Sequence, residues 1–180
     1  MKQIVKLSII LLVITAVSAG LLSVVNDVTK VVIQEKAMEA NLVYMIELLP
    51  DADEFKVVEN TSITEIEGVQ EAYEGLKGGS TIGYAVKTVT KGYGGDVVII
   101  TGVNSDGTIV GIKVASQSET PGLGSKITED GFSGQFAGKS AEGELSVGTD
   151  VEAISGATVS SRAATAGVNA AIKLFEGVLK

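Results

Sequence analysis

The run Leu7–Val25, LSIILLVITAVSAGLLSVV, holds 19 residues without a charge directly after Met1-Lys2-Gln3-Ile4-Val5-Lys6. No other feature restricts the chain so strongly. At about 1.5 Å per helical residue such a run reaches across the roughly 30 Å hydrocarbon layer of a bilayer. Lys2 and Lys6 mark the cytoplasmic side, so residues 1–6 read as a cytoplasmic tail, 7–25 as a single transmembrane anchor, and the rest as extracytoplasmic. Val17-Ser18-Ala19 offers the competing reading of a cleaved signal peptide, but the apolar run continues past it. Either reading exports the domain.

Composition then removes whole classes of chemistry. The 180 residues contain no His, Cys or Trp. Nucleophile pairs built on His or Cys, thiolate-held iron–sulfur or zinc, and imidazole-ligated haem or copper are therefore excluded. What remains is carboxylate chemistry, oxygen-ligated cations, binding, or chemistry carried by an organic cofactor. Lys2 and Lys6 are two of the 14 basic residues, and all 22 acidic residues lie at or beyond Asp27, so the exported part carries −10. That charge argues against nucleic acid as a partner.

Beyond the anchor, Asp27–Leu49 carries Val28, Val31, Val32, Met38, Leu42, Met45, Ile46 and Leu49 at mixed helical spacing, and residues 26–56 read as a connecting helix whose apolar stripe packs on its own domain. From Val57 to Ala115 the pattern changes to short β-rich segments, VQEAYEG, TIGYAVKTV, DVVIITGV and TIVGIKVA, broken by glycine. Asn104-Ser105-Asp106-Gly107 reads as a hairpin turn. Residues 122–139 read as loop and short helix, and the small and apolar residues of Val159–Leu179 as a closing helix. Strands followed by a helix predict an α+β domain over residues 57–180 with a largely antiparallel sheet flanked by helices. Asn60-Thr61-Ser62 matches a glycosylation sequon, a pattern short enough to arise by chance.

Three glycine-containing stretches are candidates for a ligand: Gly92-Tyr93-Gly94-Gly95, Glu119-Thr120-Pro121-Gly122-Leu123-Gly124, and Ser155-Gly156-Ala157-Thr158. Taken alone, each reads more readily as a plain turn, since turns outnumber ligand loops. Gly122-Leu123-Gly124-Ser125-Lys126 lacks the spacing of a phosphate-binding P-loop. Ser155–Thr158 stands immediately before the closing helix, where unpaired N–H groups favour a phosphate. Its purely structural reading makes Ser155 or Thr158 an N-cap; a hydrolase nucleophile is the poorest reading without His.

SGAT followed by Val159-Ser160-Ser161, with ETPGLG and GYGGD upstream, resembles the FMN-binding domain shared by the G subunit of Rnf-type electron-transport complexes and the C subunit of the sodium-translocating NADH:quinone reductase. The order of motifs, the N-terminal anchor and the C-terminal helix extend the resemblance over essentially the whole chain, and the short length is closer to the Rnf G subunit. The resemblance implies FMN joined covalently to the Thr158 hydroxyl through its phosphate by a separate flavin transferase. Ser155, Gly156 and Ala157 would be its small neighbours, and Glu119, Thr120, Gly122, Leu123, Gly124, Lys126 and Tyr93 would surround the flavin. Where the family places Asp six residues before the flavinylated Thr, this chain has Glu152. The resemblance further implies an electron carrier in a membrane complex that links ferredoxin and NAD to Na+ or H+ translocation, with the other subunits as partners and no stand-alone catalysis. A stand-alone exported flavinylated domain and an exported non-redox scaffold are the alternatives.

Overall fold

The computed structural model describes every residue except Met1, Thr61, Ser62 and Thr64; within the first helix the backbone alone is described for residues 2, 5, 13, 21, 22 and 24–40. The sequon positions Thr61 and Ser62 thus lie outside the described residues, as do the side chains of the stripe positions Val28, Val31, Val32 and Met38. The chain divides into two compact units, residues 1–40 and 41–180.

The first unit is helical. Helix α1 runs Lys2–Leu48. Its described side chains Ile4, Leu7, Ile9, Ile10, Leu11, Leu12, Ile14 and Val17 are all exposed. Thr15 Oγ1 donates to the carbonyls of Leu11 (2.9 Å) and Leu12 (3.0 Å), so its hydroxyl is satisfied within the helix. Among the described residues, no helix is long and apolar enough to cross a membrane.

The second unit begins with the last turns of α1 and continues into a five-stranded meander: β1 (Glu54–Val57), β2 (Val69–Lys77), β3 (Ser80–Lys91), β4 (Asp96–Asn104) and β5 (Ile109–Gln117). Every neighbouring pair is antiparallel and the spatial order is the chain order. The Asn104–Gly107 turn closes β4 on β5, with Gly107 N–H donating to the Asn104 carbonyl at 2.9 Å and Gly107 at φ 85°. The first three residues of strand β1, Glu54–Lys56, fall inside the segment expected to be connecting helix. The strand's four residues, EFKV, alternate polar and apolar, but the segment is too short for a strand pattern and only Phe55 is partly buried, so pairing with the β2 edge is what makes them a strand.

Alternation along β4 divides the core between the two faces of the sheet. Val97, Ile99 and Val103 pack against Ala164, Val168 and Ile172 of the closing helix. Ile100, on the opposite face, joins Ala85 and Tyr73 in packing against Met45 and Leu48. Gly102 lies under Leu48, whose Cβ would stand 2.9 Å from an added Cβ, so glycine lets α1 approach the sheet. The expected stripe on α1 is corrected at two places: Leu42 and Ile46 are exposed, because only the face of Asn41, Met45 and Leu48 turns inward. Burial beneath the sheet raises the Tyr73 hydroxyl pKa to about 12, helped by its bond to Glu71.

After β5 the chain forms 3-10 turns at Gly124–Thr128 and Gly134–Phe136 around the short helix α2 (Asp130–Ser133), then an irregular stretch, and returns along the sheet as α3 (Thr158–Leu174). The expected closing helix ends earlier than its apolar pattern, since Phe175–Leu179 form a π-helical turn with the Lys180 N–H bonded to the Phe175 carbonyl at 2.9 Å. Small residues on the inner face bring α3 close to the sheet. A Cβ at Gly167 would stand 2.9 Å from Thr88 Oγ1. Thr90 Oγ1 fastens β3 to α3 by donating to the Ala163 carbonyl at 2.8 Å. In the core, Thr101 Oγ1 is buried without a hydrogen-bond partner among the described residues.

Candidate functional site

Three loops meet at the first turn of α3. The first is the β3–β4 turn, Gly92–Gly95, closed by Gly92 N–H to the Gly95 carbonyl at 2.8 Å. The second follows β5: the Thr120 carbonyl accepts from Leu123 N–H (3.1 Å) and Ser125 N–H (3.2 Å), while Gly122, at φ 74°, donates to Ser125 Oγ at 2.9 Å. The third is Ile154–Ala157. Its ends are bridged by Ala157 N–H to the Ile154 carbonyl at 2.9 Å, and Gly156 takes φ 78°, a conformation natural only to glycine at that place in a turn.

Two side chains fix this third loop from below and behind. Buried Ser161 accepts from Ile154 N–H and donates to the Ala157 carbonyl, both at 3.0 Å. Further upstream, Gln135 grips the backbone of Glu152, its Oε1 accepting from the Glu152 N–H (2.7 Å) and its Nε2 donating to the Glu152 carbonyl (3.3 Å). The Glu152 side chain itself is exposed.

The loops enclose a cavity of about 460 Å3, within the range of roughly 300–1,000 Å3 usual for small-molecule sites. Of the residues singled out in the sequence, Tyr93, Glu119, Thr120, Leu123, Gly124, Gly156, Ala157 and Thr158 line it. Ser155 and Gly122 do not. Lys126 belongs to a separate hollow of about 180 Å3 beside Glu129, Gln135 and Glu152, so the cavity's described lining contains no cation. Val159 and Ser160 complete the lining. The sequence marks Val159 only as the start of a helix. Ser160 could have been found from its spacing: three and four residues before the inward-facing Ala163 and Ala164, it must point into the protein, where a hydroxyl needs a partner.

Thr158 is not the N-cap, and neither is Ser155. Ala157 occupies that position with φ −134° and ψ 41°, no side chain caps the helix, and Thr158 is the first helical residue. Its exposed hydroxyl makes no hydrogen bond among the described residues, and the backbone N–H groups of Thr158, Val159 and Ser160 have no acceptor there. The neighbouring hydroxyls contrast with it, since Ser160 donates to Glu119 Oε2 and Ser161 is doubly engaged.

Glu119 is the centre of the wall. Only 5% of it is exposed. Its Oε1 accepts from Gly94 N–H at 3.0 Å and its Oε2 from Ser160 Oγ. A Cβ at Gly92 would collide with Oε1, and one at Gly124 would stand 2.7 Å from Oε2 and 2.8 Å from the Glu119 Cβ. Two glycines of the motifs are thus required by a carboxylate, not by turn geometry. Around this polar centre the rim is apolar: Tyr93, Leu123 and Val159 are 76%, 47% and 50% exposed.

The donor set fits FMN. Free N–H groups at the start of a 17-residue helix suit a phosphate, the unbonded Thr158 hydroxyl stands beside them, and the apolar rim suits a flat ring.

The FMN-binding domain family matches residues 92–173. The chain is 39% identical to the G subunit of the Na+-translocating ferredoxin:NAD+ oxidoreductase complex of Acetobacterium woodii, over 99% of this chain and 95% of that one. It is 33% identical to the G subunit of the proton-translocating ferredoxin:NAD+ oxidoreductase complex of Clostridium ljungdahlii, over 87% and 83%. Among solved structures, the C subunit of the Na+-translocating NADH–quinone reductase of Parabacteroides distasonis matches with a TM-score of 0.52 and 24% identity, over 69% of this chain and 77% of that one, a likeness of fold. With its FMN-binding domain and its end-to-end similarity to these relatives, the chain belongs to the G-subunit family of ion-translocating oxidoreductase complexes.

Proposed function

We propose that this chain carries electrons within a membrane-bound complex coupling ferredoxin and NAD to ion translocation, through FMN held as a phosphoester on Thr158. The observation that carries the reading is the unbonded Thr158 hydroxyl beside three free helix N–H groups at the edge of an apolar-rimmed cavity. When bound, the flavin supplies the redox chemistry.

The protein's part is attachment and enclosure. Thr158 Oγ1 forms the bond to phosphorus and gives up its proton, while a flavin transferase supplies an activated flavin diphosphate ester whose second phosphate half leaves. No base within the chain is needed, which accounts for a hydroxyl with no acidic or basic neighbour engaged to it. The N–H groups of Val159 and Ser160 are positioned to hold phosphate oxygens. Leu123, Tyr93 and Val159 offer apolar surface to the ring and Thr120 a polar edge. Glu152, displayed by Gln135 and exposed, stands where the transferase approaches the loop.

Membrane attachment through residues 7–25 belongs to the same reading. It is supported by the uncharged run, the flanking lysines and the exposure of the run's described apolar side chains. A chain without cysteine allows a direct topology test, in which Gln3→Cys is shielded from an impermeant thiol reagent in intact cells and Ser105→Cys is labelled.

The decisive experiment produces the chain beside a flavin transferase and measures intact mass. The wild type is expected to gain the mass of one FMN residue and keep its colour after denaturation, and Thr158→Ala to gain nothing. Flavin on Thr158→Ala, or none on the wild type beside a flavinylated control domain, would refute the attachment. Mild detergent extraction is expected to bring other membrane subunits with the wild type; recovery as a lone flavinylated monomer would favour a stand-alone carrier.

A further inference from the structure

We infer that Glu119 is a charged tuning residue: an unpaired carboxylate fixed in the cavity wall that holds the flavin's midpoint potential low. The inference rests on the FMN reading above and deepens it, assigning to Glu119 a role distinct from direct contact with the cofactor.

The hydrogen-bond pattern identifies the form of the group. Both carboxyl oxygens act as acceptors, Oε1 from the Gly94 N–H at 3.0 Å and Oε2 from the Ser160 hydroxyl. A backbone N–H can only donate, so a proton on Oε1 would face another proton. A proton on Oε2 would have to go to Ser160 Oγ. The buried Ser160 hydroxyl has no other acceptor among the described residues and would then have to find one in the cavity that it lines. Within the protein's own groups the pattern is complete only for the carboxylate.

The charge is also held and uncompensated. Oε1 is boxed by Gly92 and Oε2 by Gly124, where a Cβ would stand 2.7 Å away, and Glu119's own N–H is tied to Gln117 Oε1 at 2.6 Å. Among the described residues no ion pair involves Glu119: Lys113, the basic residue nearest to it in sequence, pairs with Glu47 at 2.6 Å, and Lys126 lines another hollow. A carboxylate that is 95% shielded from water is screened weakly. It lines the same cavity as Thr158. Electrons added to a flavin in that cavity place negative charge near a fixed negative charge, and like charges disfavour it. Reduction therefore becomes harder than it would be beside a neutral wall.

The test compares flavinylated wild type, Glu119→Gln, Glu119→Asp and Ser160→Ala by redox titration at one pH. Glu119→Gln removes the charge and nearly preserves the shape; it is expected to shift the oxidised–reduced equilibrium toward the reduced flavin by at least about tenfold, or about 30 mV for a two-electron couple. Glu119→Asp and Ser160→Ala retain the charge and are expected not to raise the potential. An unchanged potential in Glu119→Gln, or an equal rise in Ser160→Ala, overturns the inference, since the potential would then follow the loop's shape and not the charge. A wild type that gains no flavin refutes the FMN reading instead, so the two failures are distinguishable.

A second measurement needs no flavin. Infrared difference spectra of the unflavinylated protein, wild type minus Glu119→Gln, are expected to show carboxylate stretching bands lost in the variant; a protonated-acid carbonyl band in their place overturns the inference. If Glu119→Gln fails to fold or to accept flavin, Ser160→Ala, which removes a hydrogen bond from the same group, shifts those bands and reads the same carboxylate.

Discussion

Two hollows flank α3, and the larger one, about 580 Å3 between Gly68, Val89 and the Ala166–Ala170 face of the helix, has its polar side chains other than Glu67 engaged by protein. Lys91 pairs with Asp96, Lys173 with Glu144, Thr90 with the Ala163 carbonyl, and Asn169 with both backbone groups of Leu145. The cavity at the other end of the helix is smaller, about 460 Å3, yet its edge carries a free hydroxyl and three free N–H groups. Volume alone would choose the other one. Unspent hydrogen-bonding capacity, arranged around an apolar rim, marks a ligand site better than size does.

Substitutions at glycine should separate the two regions most sharply. Gly124→Ala drives a methyl group into Glu119 and Ser160; overpacking of this kind costs about 1–3 kcal/mol, and flavinylation is expected to fall with the melting temperature. Gly68→Ala, in the larger hollow, meets the Val89 carbonyl at 3.2 Å with φ 88°. It is expected to cost about 1 kcal/mol from backbone strain while leaving flavin incorporation intact. Equal loss of flavin in both would mean that the cavities are not independent.

Asn169→Ala probes the engaged groove alone. Removing the amide leaves the Leu145 N–H and carbonyl without their partners, a loss of about 1–2 kcal/mol in chemical denaturation, with full flavin stoichiometry. Impaired flavinylation there would reveal coupling through α3.

The smallest effect is expected at the groove's mouth. The hydrogen bond between Lys173 and Glu144 raises the lysine's pKa and lowers the carboxyl's, but both groups are solvent-exposed. Lys173→Ala should therefore change neither melting temperature nor flavin content measurably at physiological salt. A clear drop in either would show the larger hollow to be more than a packing gap.

The meander was legible because its strands carry β-branched runs separated by glycine-bearing turns; β1 was not, because Glu54–Val57 is only four residues long, mostly exposed, and becomes a strand only by pairing with β2. The site was legible as three loops in the order of a known motif set. Its internal logic was not, since the partnership of Ser160 with Glu119 joins residues 41 positions apart. Lys126 and Ser155 are the converse case: close in sequence to lining residues, they do not line the cavity.

Local pattern and composition by themselves determined the exclusion of His and Cys chemistry, the uncharged N-terminal run and the largely antiparallel sheet, because each depends on residue type or short-range spacing; Thr158 as the candidate attachment residue came from the resemblance of the motif set. Only the tertiary structure decided which hydroxyls are spent. Thr158, Ser160 and Ser161 share one turn of helix and similar chemistry, and a helix turn points them at different surroundings: solvent, a buried carboxylate, and the loop behind.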